Sequence, residues 1–218
     1  MKTANNLFML ILSSVVCLLP VILSIAVYND LPPQVAIHWD IRGNADNYAP
    51  KALAAFGLPL FFMVINIIIN IFFYRDVKRN NIPRALRTFV EWLIPATSLV
   101  IVPVMLLAAI GIKIPIPMIA FVFVGIIFVV FGYYMPKSVQ NNYFGIKLPW
   151  TLSSADNWNK THQMAGYLWV SGGITLIVMS FLSIDNTVWL TLSFTIIIIL
   201  AVAPIIYSYL LYRRLSGE

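Results

Sequence analysis

Residues 188–211 read VWLTLSFTIIIILAVAPIIYSYLL, which is 24 residues without a charged side chain. At 1.5 Å per residue, a helix of this length covers about 36 Å and exceeds the roughly 30 Å hydrocarbon core of a bilayer. Five further apolar stretches occur upstream, so the sequence predicts six membrane-spanning helices. These predicted spans are Leu7–Tyr28, Gly57–Tyr74, Phe89–Ile112, Met118–Tyr134, Met164–Ile184 and Val188–Leu211.

The composition of the 218-residue chain is that of a bilayer protein. Hydrophobic residues make up 61% of it and charged residues 10%, against about 45–50% and about 25% in soluble domains. The apolar runs show no strand-like alternation, which favours an all-α class. We therefore expect one polytopic membrane domain, residues 1–218, formed by a six-transmembrane-helix bundle. It carries one outer loop module, residues 29–56, and one inner motif loop, residues 135–162.

Cysteine and histidine are too scarce for several kinds of site. Cys17 is the single cysteine, which excludes a disulfide framework and a cysteine-based metal cluster. The two histidines exclude a histidine-rich zinc site. We expect no metal and no cofactor.

The distribution of Lys and Arg predicts the orientation. Eleven of the fourteen fall in the segments that are inside if the N-terminus is cytoplasmic, and only Arg42, Lys51 and Lys113 fall outside. The positive-inside rule then places both termini in the cytoplasm. This asymmetry also explains the net charge of +6 without a nucleic-acid partner. The first span resembles a signal peptide at Ser24-Ile25-Ala26, but its apolar stretch is longer than a typical h-region, which favours a retained helix.

The outer loop module contains a short alternating segment, residues 35–40, followed by a Gly43-Asn44 turn signal. It is either a lid whose aromatic residues lie in the interfacial belt or a recognition surface for a ligand from outside. One histidine and two aspartate side chains there, His38, Asp40 and Asp46, could hold a divalent ion, but their irregular spacing is a weak signal. The candidate ligand-binding residues are His38, Trp39, Asp40, Asp46 and Tyr48.

The inner motif loop is the most specific stretch of the chain. Ser153, three residues before Asp156, predicts a helix N-cap. Spacing then places Trp158, His162, Ala165 and Trp169 on one helix face, with the imidazole between two indoles. The segment is either an interfacial aromatic anchor with a satisfied histidine or a polar functional site. Its candidate residues are Asn142, Tyr143, Phe144, Lys147, Pro149, Trp150, Thr151, Trp158, Lys160 and His162.

Two further features of the sequence concern packing and charge. Asn66 and Asn70 lie one helical turn apart within a span, which predicts hydrogen bonding between helices rather than a permeation path. Lys147 and His162 can both carry positive charge, which suits an anionic partner, either a lipid headgroup or an acidic protein surface.

Both loops resemble the SdpI family of membrane immunity proteins. The outer resemblance rests on Leu31-Pro32, Ile37-His38-Trp39-Asp40, Gly43 and Ala45-Asp46, and the inner one on residues 142–154 with Trp158 and the Lys160–His162 run. The chain has Lys147-Leu148 where the family commonly has Arg-Thr, and lysine lacks the bidentate fork of arginine. The resemblance implies protection of the cell from the secreted sporulation-delaying peptide toxin. In one genetic setting it also implies retention of a cytoplasmic autorepressor.

Two other functions stay open at the level of sequence. One is an intramembrane enzyme, with His162 as base and Thr151, Ser153 or Ser154 as nucleophile, although no nucleophile elbow is present. The other is a small transporter, against which stand the scarcity of intramembrane charges and the lack of an evident repeat. We favour a non-enzymatic binding protein whose partners are a secreted peptide toxin, a cytoplasmic autorepressor and membrane lipids.

Overall fold

The computed structural model of the chain describes residues 2–75, 83–141, 144–182 and 184–216. The chain forms two compact units, and each is described by itself. The first unit comprises residues 1–77 with residues 88–116, and the second comprises residues 78–87 with residues 117–218.

The helices of the first unit are largely apolar. Helices α1 and α2 are separated by a turn at Leu18-Leu19, because Pro20 has no backbone N–H and fits only in the first turn of the new helix. A π-helical turn, Leu53–Gly57, leads directly into α3. The helices of this unit are α1 (Lys2–Cys17), α2 (Pro20–Val27), α3 (Leu58–Arg75) and most of α4 (Arg84–Ala109).

An antiparallel β-hairpin fills most of the predicted outer loop module. Strand β1 (Gln34–Trp39) pairs with β2 (Ala45–Pro50), with Val35 opposite Ala49. Gly43 adopts a φ of 84° in the turn between the strands, a conformation that favours glycine. The extended segment and turn expected from the sequence are therefore confirmed, and the fold is mostly helical rather than purely α. Helical structure already begins at residue 51, inside the predicted loop.

The inner face of the hairpin packs on a buried apolar cluster within the first unit. Val35 is almost fully buried, as are Ala54 and Ala55 of the π-helical turn. Leu31, just before the hairpin, and Val102, Met105 and Leu106 of α4 complete the cluster. The hairpin is thus a packed part of the unit and not a loose connection.

Asn66 of α3 joins that helix to α1. Its Nδ2 donates to Ser13 Oγ at 2.9 Å and to Ser14 Oγ at 3.1 Å, while its Oδ1 accepts from Asn70 Nδ2 at 2.9 Å. Both asparagines are buried. The predicted role of this pair in hydrogen bonding between helices is confirmed.

The second unit is built on a close approach of two helices. A Cβ on Gly132 of α5 would lie 2.9 Å from the Gly166 carbonyl oxygen of α7, and a Cβ on Gly173 would lie 2.7 Å from the Gly125 carbonyl oxygen. Paired glycines seven residues apart let the two backbones touch, as small residues do in membrane helix pairs. The elements of this unit are α5 (Ile116–Tyr134), the 3₁₀ turn Met135–Lys137, α6 (Pro149–Ser153), α7 (Ala155–Met179) and α8 (Asn186–Ser216).

Among the described residues, five helices are long and apolar enough to cross a membrane. They agree within a few residues with five of the six predicted spans. Helix α7 is not among them, because its first turns are polar and only Met164–Met179, about 24 Å of helix, are apolar. The six-helix count therefore stays a prediction. The five spans are Asn5–Val27, Leu53–Arg75, Arg84–Ala109, Ile116–Lys137 and Asn186–Arg214.

Candidate functional site

The hairpin divides the predicted outer residues between its two faces and its turn. His38 and Asp46 form a hydrogen-bonded pair on the outward face, with side chains that are 66% and 46% exposed. Tyr48 is 54% exposed on the second strand. Trp39 is half-buried and packs against the apolar cluster under the hairpin. The accessible part of this surface is therefore His38, Asp46 and Tyr48, whereas Trp39 anchors the hairpin.

Asp40 shapes the turn of the hairpin. Its carboxylate accepts from the backbone N–H groups of Arg42 and Asn44, each at 2.8 Å, and from Asn44 Nδ2 at 3.1 Å. The hydrogen bonds from Asn44 hold the pKa of the Asp40 carboxyl below its usual value, with a smaller contribution from Arg42. Within the described ranges, no three His, Cys, Asp or Glu side chains converge as metal ligands would.

The centre of the inner motif is His162, which is almost fully buried on α7. Its ring stacks on the Trp158 indole, with centroids 3.9 Å apart and planes at 20°. Nδ1 lies 2.7 Å from the Trp158 carbonyl oxygen, and Nε2 lies 3.0 Å from the Ile146 backbone nitrogen. The expected second indole is not part of this stack, since Trp169 instead donates to the Leu200 carbonyl and packs on Phe128.

These two partners fix the charge of His162. A carbonyl can only accept, so Nδ1 carries the proton, and a backbone N–H can only donate, so Nε2 has none. Burial lowers the pKa of His162 to about 4, outweighing the hydrogen bond to Trp158, which raises it. The expectation that His162 carries positive charge beside Lys147 is wrong, because the folded motif leaves no room for the second proton.

Gly145 allows the loop to reach the imidazole. It has a φ of 124°. A Cβ at this position would overlap sterically with His162 Nε2 and would lie 2.9 Å from Trp158 Cη2. Asn141 shapes the same turn from the other side. Its Oδ1 accepts from the Phe144 N–H at 2.7 Å, and its Nδ2 donates to the Phe144 carbonyl at 3.1 Å. The loop thus closes on the histidine without side-chain bulk in between.

Two tryptophans tie the loop to the helices of the second unit. Trp158 Nε1 donates to the Ser138 carbonyl at 2.8 Å, which holds the start of the loop. Trp150 Nε1 donates to Ser208 Oγ of α8 at 3.0 Å, and the same indole packs on Tyr209 and Tyr212. The motif is therefore fastened to both α7 and α8.

The hydroxyl groups of the motif serve as local hydrogen-bond partners. Thr151 Oγ1 accepts from the Leu148 N–H at 2.9 Å and donates to the Ile146 carbonyl at 2.7 Å. Ser154 is the N-cap of α7, since its Oγ accepts from the Asn157 N–H. The predicted N-cap was Ser153, but that residue is the last of α6, and its hydroxyl donates to the Trp150 carbonyl of the same helix. The cap moves by one residue because α6 uses Ser153 as its last residue.

The remaining predicted inner residues that the structure describes lie around this network. Phe144 is buried against Phe131, whereas Lys147 and Pro149 are exposed. Lys160 forms an exposed ion pair with Asp156 at 2.8 Å. Asn142 and Tyr143 lie outside the described residues.

Sequence reasoning missed the polar residues that hold α7 to α8. Asn157 is fully buried and donates from Nδ2 to the Ser208 carbonyl at 3.0 Å, while its Oδ1 accepts from Thr161. Asn157 and Thr161 lie in the first turns of α7. Their spacing of four residues, which puts both side chains on one helix face, was the available signal in the sequence. Ser208 gave no signal, since a lone serine in an apolar helix commonly bonds to its own backbone.

The fold and the two surfaces define a polytopic helical membrane protein with a packed β-hairpin and a hydrogen-bonded motif loop. Residues 137–208 match the SdpI/YfhL protein family, and residues 15–63 match a domain of unknown function, DUF1648. The chain is 27% identical over 215 residues to the immunity protein SdpI of Bacillus subtilis (strain 168), covering 95% of this chain and 98% of that protein. Both matches support the assignment of the chain to the SdpI family. No solved structure matches it.

Proposed function

We propose that this chain is a membrane immunity protein that protects its cell from a secreted antimicrobial peptide, which it binds without catalysis. The observation that carries the proposal is the similarity to the immunity protein SdpI over nearly the whole of both chains. The similarity includes both the hairpin and the inner motif, so the proposal assigns a role to each surface.

The hairpin is the proposed contact for the peptide. Its outward face presents Tyr48 beside the His38–Asp46 pair, while its inner face is held by the apolar cluster. A rigid support lowers the entropic cost of binding, and an exposed aromatic ring supplies contact area at little cost in side-chain freedom. Tyr48 is therefore the proposed anchor, in place of the half-buried Trp39.

The inner motif disfavours an intramembrane enzyme. A general base needs an available ring nitrogen, but His162 Nε2 accepts from Ile146 and Nδ1 donates to Trp158. The hydroxyls of Thr151 and Ser154 accept backbone N–H groups. This arrangement suits a motif that holds one shape, and we propose that its exposed side relays peptide binding to a cytoplasmic autorepressor.

The contacts between α7 and α8 support six spans, which put both termini on the same side, and the Lys and Arg distribution favours the cytoplasmic side. Asn157 at the start of α7 bonds to Ser208 near the end of α8, and Trp169 bonds to Leu200. The two helices therefore run antiparallel side by side. Since α8 is long enough to cross the bilayer, α7 crosses beside it, and the short apolar length of α7 is extended by its partner.

Reporter fusions test this topology. Fusions after Arg79, Asn142 and Ser216 are expected to report the cytoplasm, and a fusion after Asn47 the outside. The Ser216 fusion separates five spans from six, because a non-spanning α7 would move the C-terminus outside. An external signal at Asn142 would contradict the inner placement of the motif.

Protection assays on hairpin variants test the binding role. Tyr48→Ala is expected to reduce survival in the peptide at unchanged membrane abundance, since 54% of the side chain is exposed. Gln34→Ala, an exposed change on the neighbouring strand, is the matched control and should protect fully. Trp39→Ala is expected to reduce both protection and hairpin stability. Full protection by both aromatic variants would make the hairpin a lid.

A further inference from the structure

Two large apolar side chains lie exposed on the inner motif. Val139 is 63% exposed and Leu152 is 42% exposed. Gln140 joins their two segments, since its Nε2 donates to the Thr151 carbonyl at 2.9 Å and to the Leu152 carbonyl at 3.3 Å. We call Val139 and Leu152 together the apolar rim.

The apolar rim is held at the ends of two candidate spans. Val139 follows Lys137, the last residue of the span that contains α5, by two positions. Leu152 follows Trp150 by two positions, and the Trp150 ring packs on Tyr209 and Tyr212 with centroids 5.4 Å and 6.0 Å apart. Clustered Trp and Tyr at the end of a span are typical of the headgroup level of a membrane. This placement favours a position of the apolar rim at the level of the bilayer surface.

The charges around the apolar rim have one sign. Residues 135–162 contain one acidic residue, Asp156, and it is paired with Lys160. His162 does not contribute to the charge of the motif, because the hydrogen bonds of its two ring nitrogens require a neutral imidazole. Exposed cations lie in the loop, at Lys137 and Lys147, and at the end of α8, at Arg213 and Arg214. Lys137 Nζ lies 3.2 Å from the centroid of the Tyr133 ring. A surface with apolar tips and a cationic surround fits anionic phospholipid, with tips in the headgroup region and cations at the phosphates.

We propose that α6 docks on the bilayer surface, with the apolar rim inserted among the headgroups and Lys147 and Lys137 binding an anionic phospholipid. An acidic protein would satisfy the cations, but it would have to approach side chains that already lie at the ends of spans. The proposal requires insertion of the chain in a membrane and is independent of peptide protection and of which leaflet the motif faces. It makes the membrane itself a partner that holds the motif in place.

Fluorescence quenching in nanodiscs tests the docking. The full chain carries a bimane label on Val139→Cys or Leu152→Cys, and the parent chain with its buried Cys17 serves as the labelling blank. Asn159→Cys, on the exposed side of α7, is the matched control. Nanodiscs contain brominated phosphatidylcholine, with or without phosphatidylglycerol.

We expect bromolipid to quench both rim labels about two-fold or more above the Asn159 label, and phosphatidylglycerol to increase the difference. Lys147→Gln should remove most of the increase, whereas Lys160→Gln, which removes the same charge from α7 outside the proposed lipid contact, should not. Equal quenching of rim and control labels in both lipids would overturn the proposal and leave the apolar rim to a protein partner. Strong quenching that does not respond to phosphatidylglycerol would overturn the assignment of an anionic lipid.

Discussion

Gly145→Ala is the substitution that most directly disturbs the inner motif. The residue has a φ of 124°, a conformation that costs an L-residue about 1–3 kcal/mol. The new Cβ would also collide with His162 Nε2 and lie 2.9 Å from Trp158 Cη2. Relief of this collision requires a shift of about 1 Å, which breaks the 3.0 Å bond from Ile146 and leaves a buried acceptor unsatisfied at about 1–3 kcal/mol. The sum is about 2–6 kcal/mol.

Hydrogen exchange measures this loss where it occurs. The Phe144 and Ile146 amides are bonded to Asn141 Oδ1 and His162 Nε2, so they exchange only when the motif opens. A cost of about 2 kcal/mol corresponds to an increase in exchange of about 30-fold, since about 1.4 kcal/mol is a factor of ten. The peptide that contains both amides should therefore lose at least this much protection in Gly145→Ala.

Gly111→Ala is the matched control for this experiment. Gly111 also has a positive φ, 89°, but nothing lies within 4 Å of a Cβ built there. Gly111→Ala thus has the conformational cost of an L-residue at positive φ but no steric collision. It should leave hydrogen exchange at residues 144–147 unchanged. Equal, small effects of both substitutions on those amides would refute the reasoning that the imidazole requires glycine opposite its Nε2.

Three further substitutions test other parts of the account. Because its folded pKa is about 4 and its unfolded pKa about 6.5, His162 binds a proton more readily when unfolded, so its stabilisation is complete above pH 6.5 and is lost as the pH falls. Chemical unfolding at pH 5 and pH 7 should show a loss of about 2 kcal/mol that His162→Asn removes and His38→Asn retains; a flat profile would contradict the neutral imidazole. Asn66→Leu should lower the free energy of unfolding in mixed micelles by about 1–2 kcal/mol, and unchanged stability would deny its role between α1 and α3. Gly132→Ala should cost about 1–3 kcal/mol in the same assay, because its Cβ meets backbone, whereas Gly172→Ala meets only the movable tip of Leu200 and should cost less; equal costs would exclude a backbone contact of α5 with α7.

The spans were predictable because hydropathy is a local property. The stretch that contains α8 is uniformly apolar, so its position does not depend on any contact. Helix α7 was harder, since its polar first turns, which include Asn157 and His162, are buried against loop and helix rather than exposed to water. Sequence periodicity shows that these residues share a face but does not identify what covers it.

The candidate surfaces were predictable in position but not in role. The alternation in residues 35–40 located the hairpin, yet only packing shows that Trp39 faces the apolar cluster while Tyr48 is exposed. Similarly, helical spacing put His162 on the same face as Trp158, but its charge depends on Ile146, sixteen residues away in the chain. Contacts of this kind arise from the path of the loop, which Gly145 permits and no local pattern specifies.

The membrane potential of a sensitive cell tests the central proposal most directly. A Gram-positive host that is killed by a sporulation-delaying type of peptide is made to produce this chain, and a potential-sensitive dye is followed after the peptide is added. The account predicts that cells with the wild-type chain keep their potential and survive, that Gln34→Ala cells do the same, and that Tyr48→Ala cells depolarise. Depolarisation of cells with the wild-type chain, at membrane levels where it is fully inserted, would contradict an immunity function.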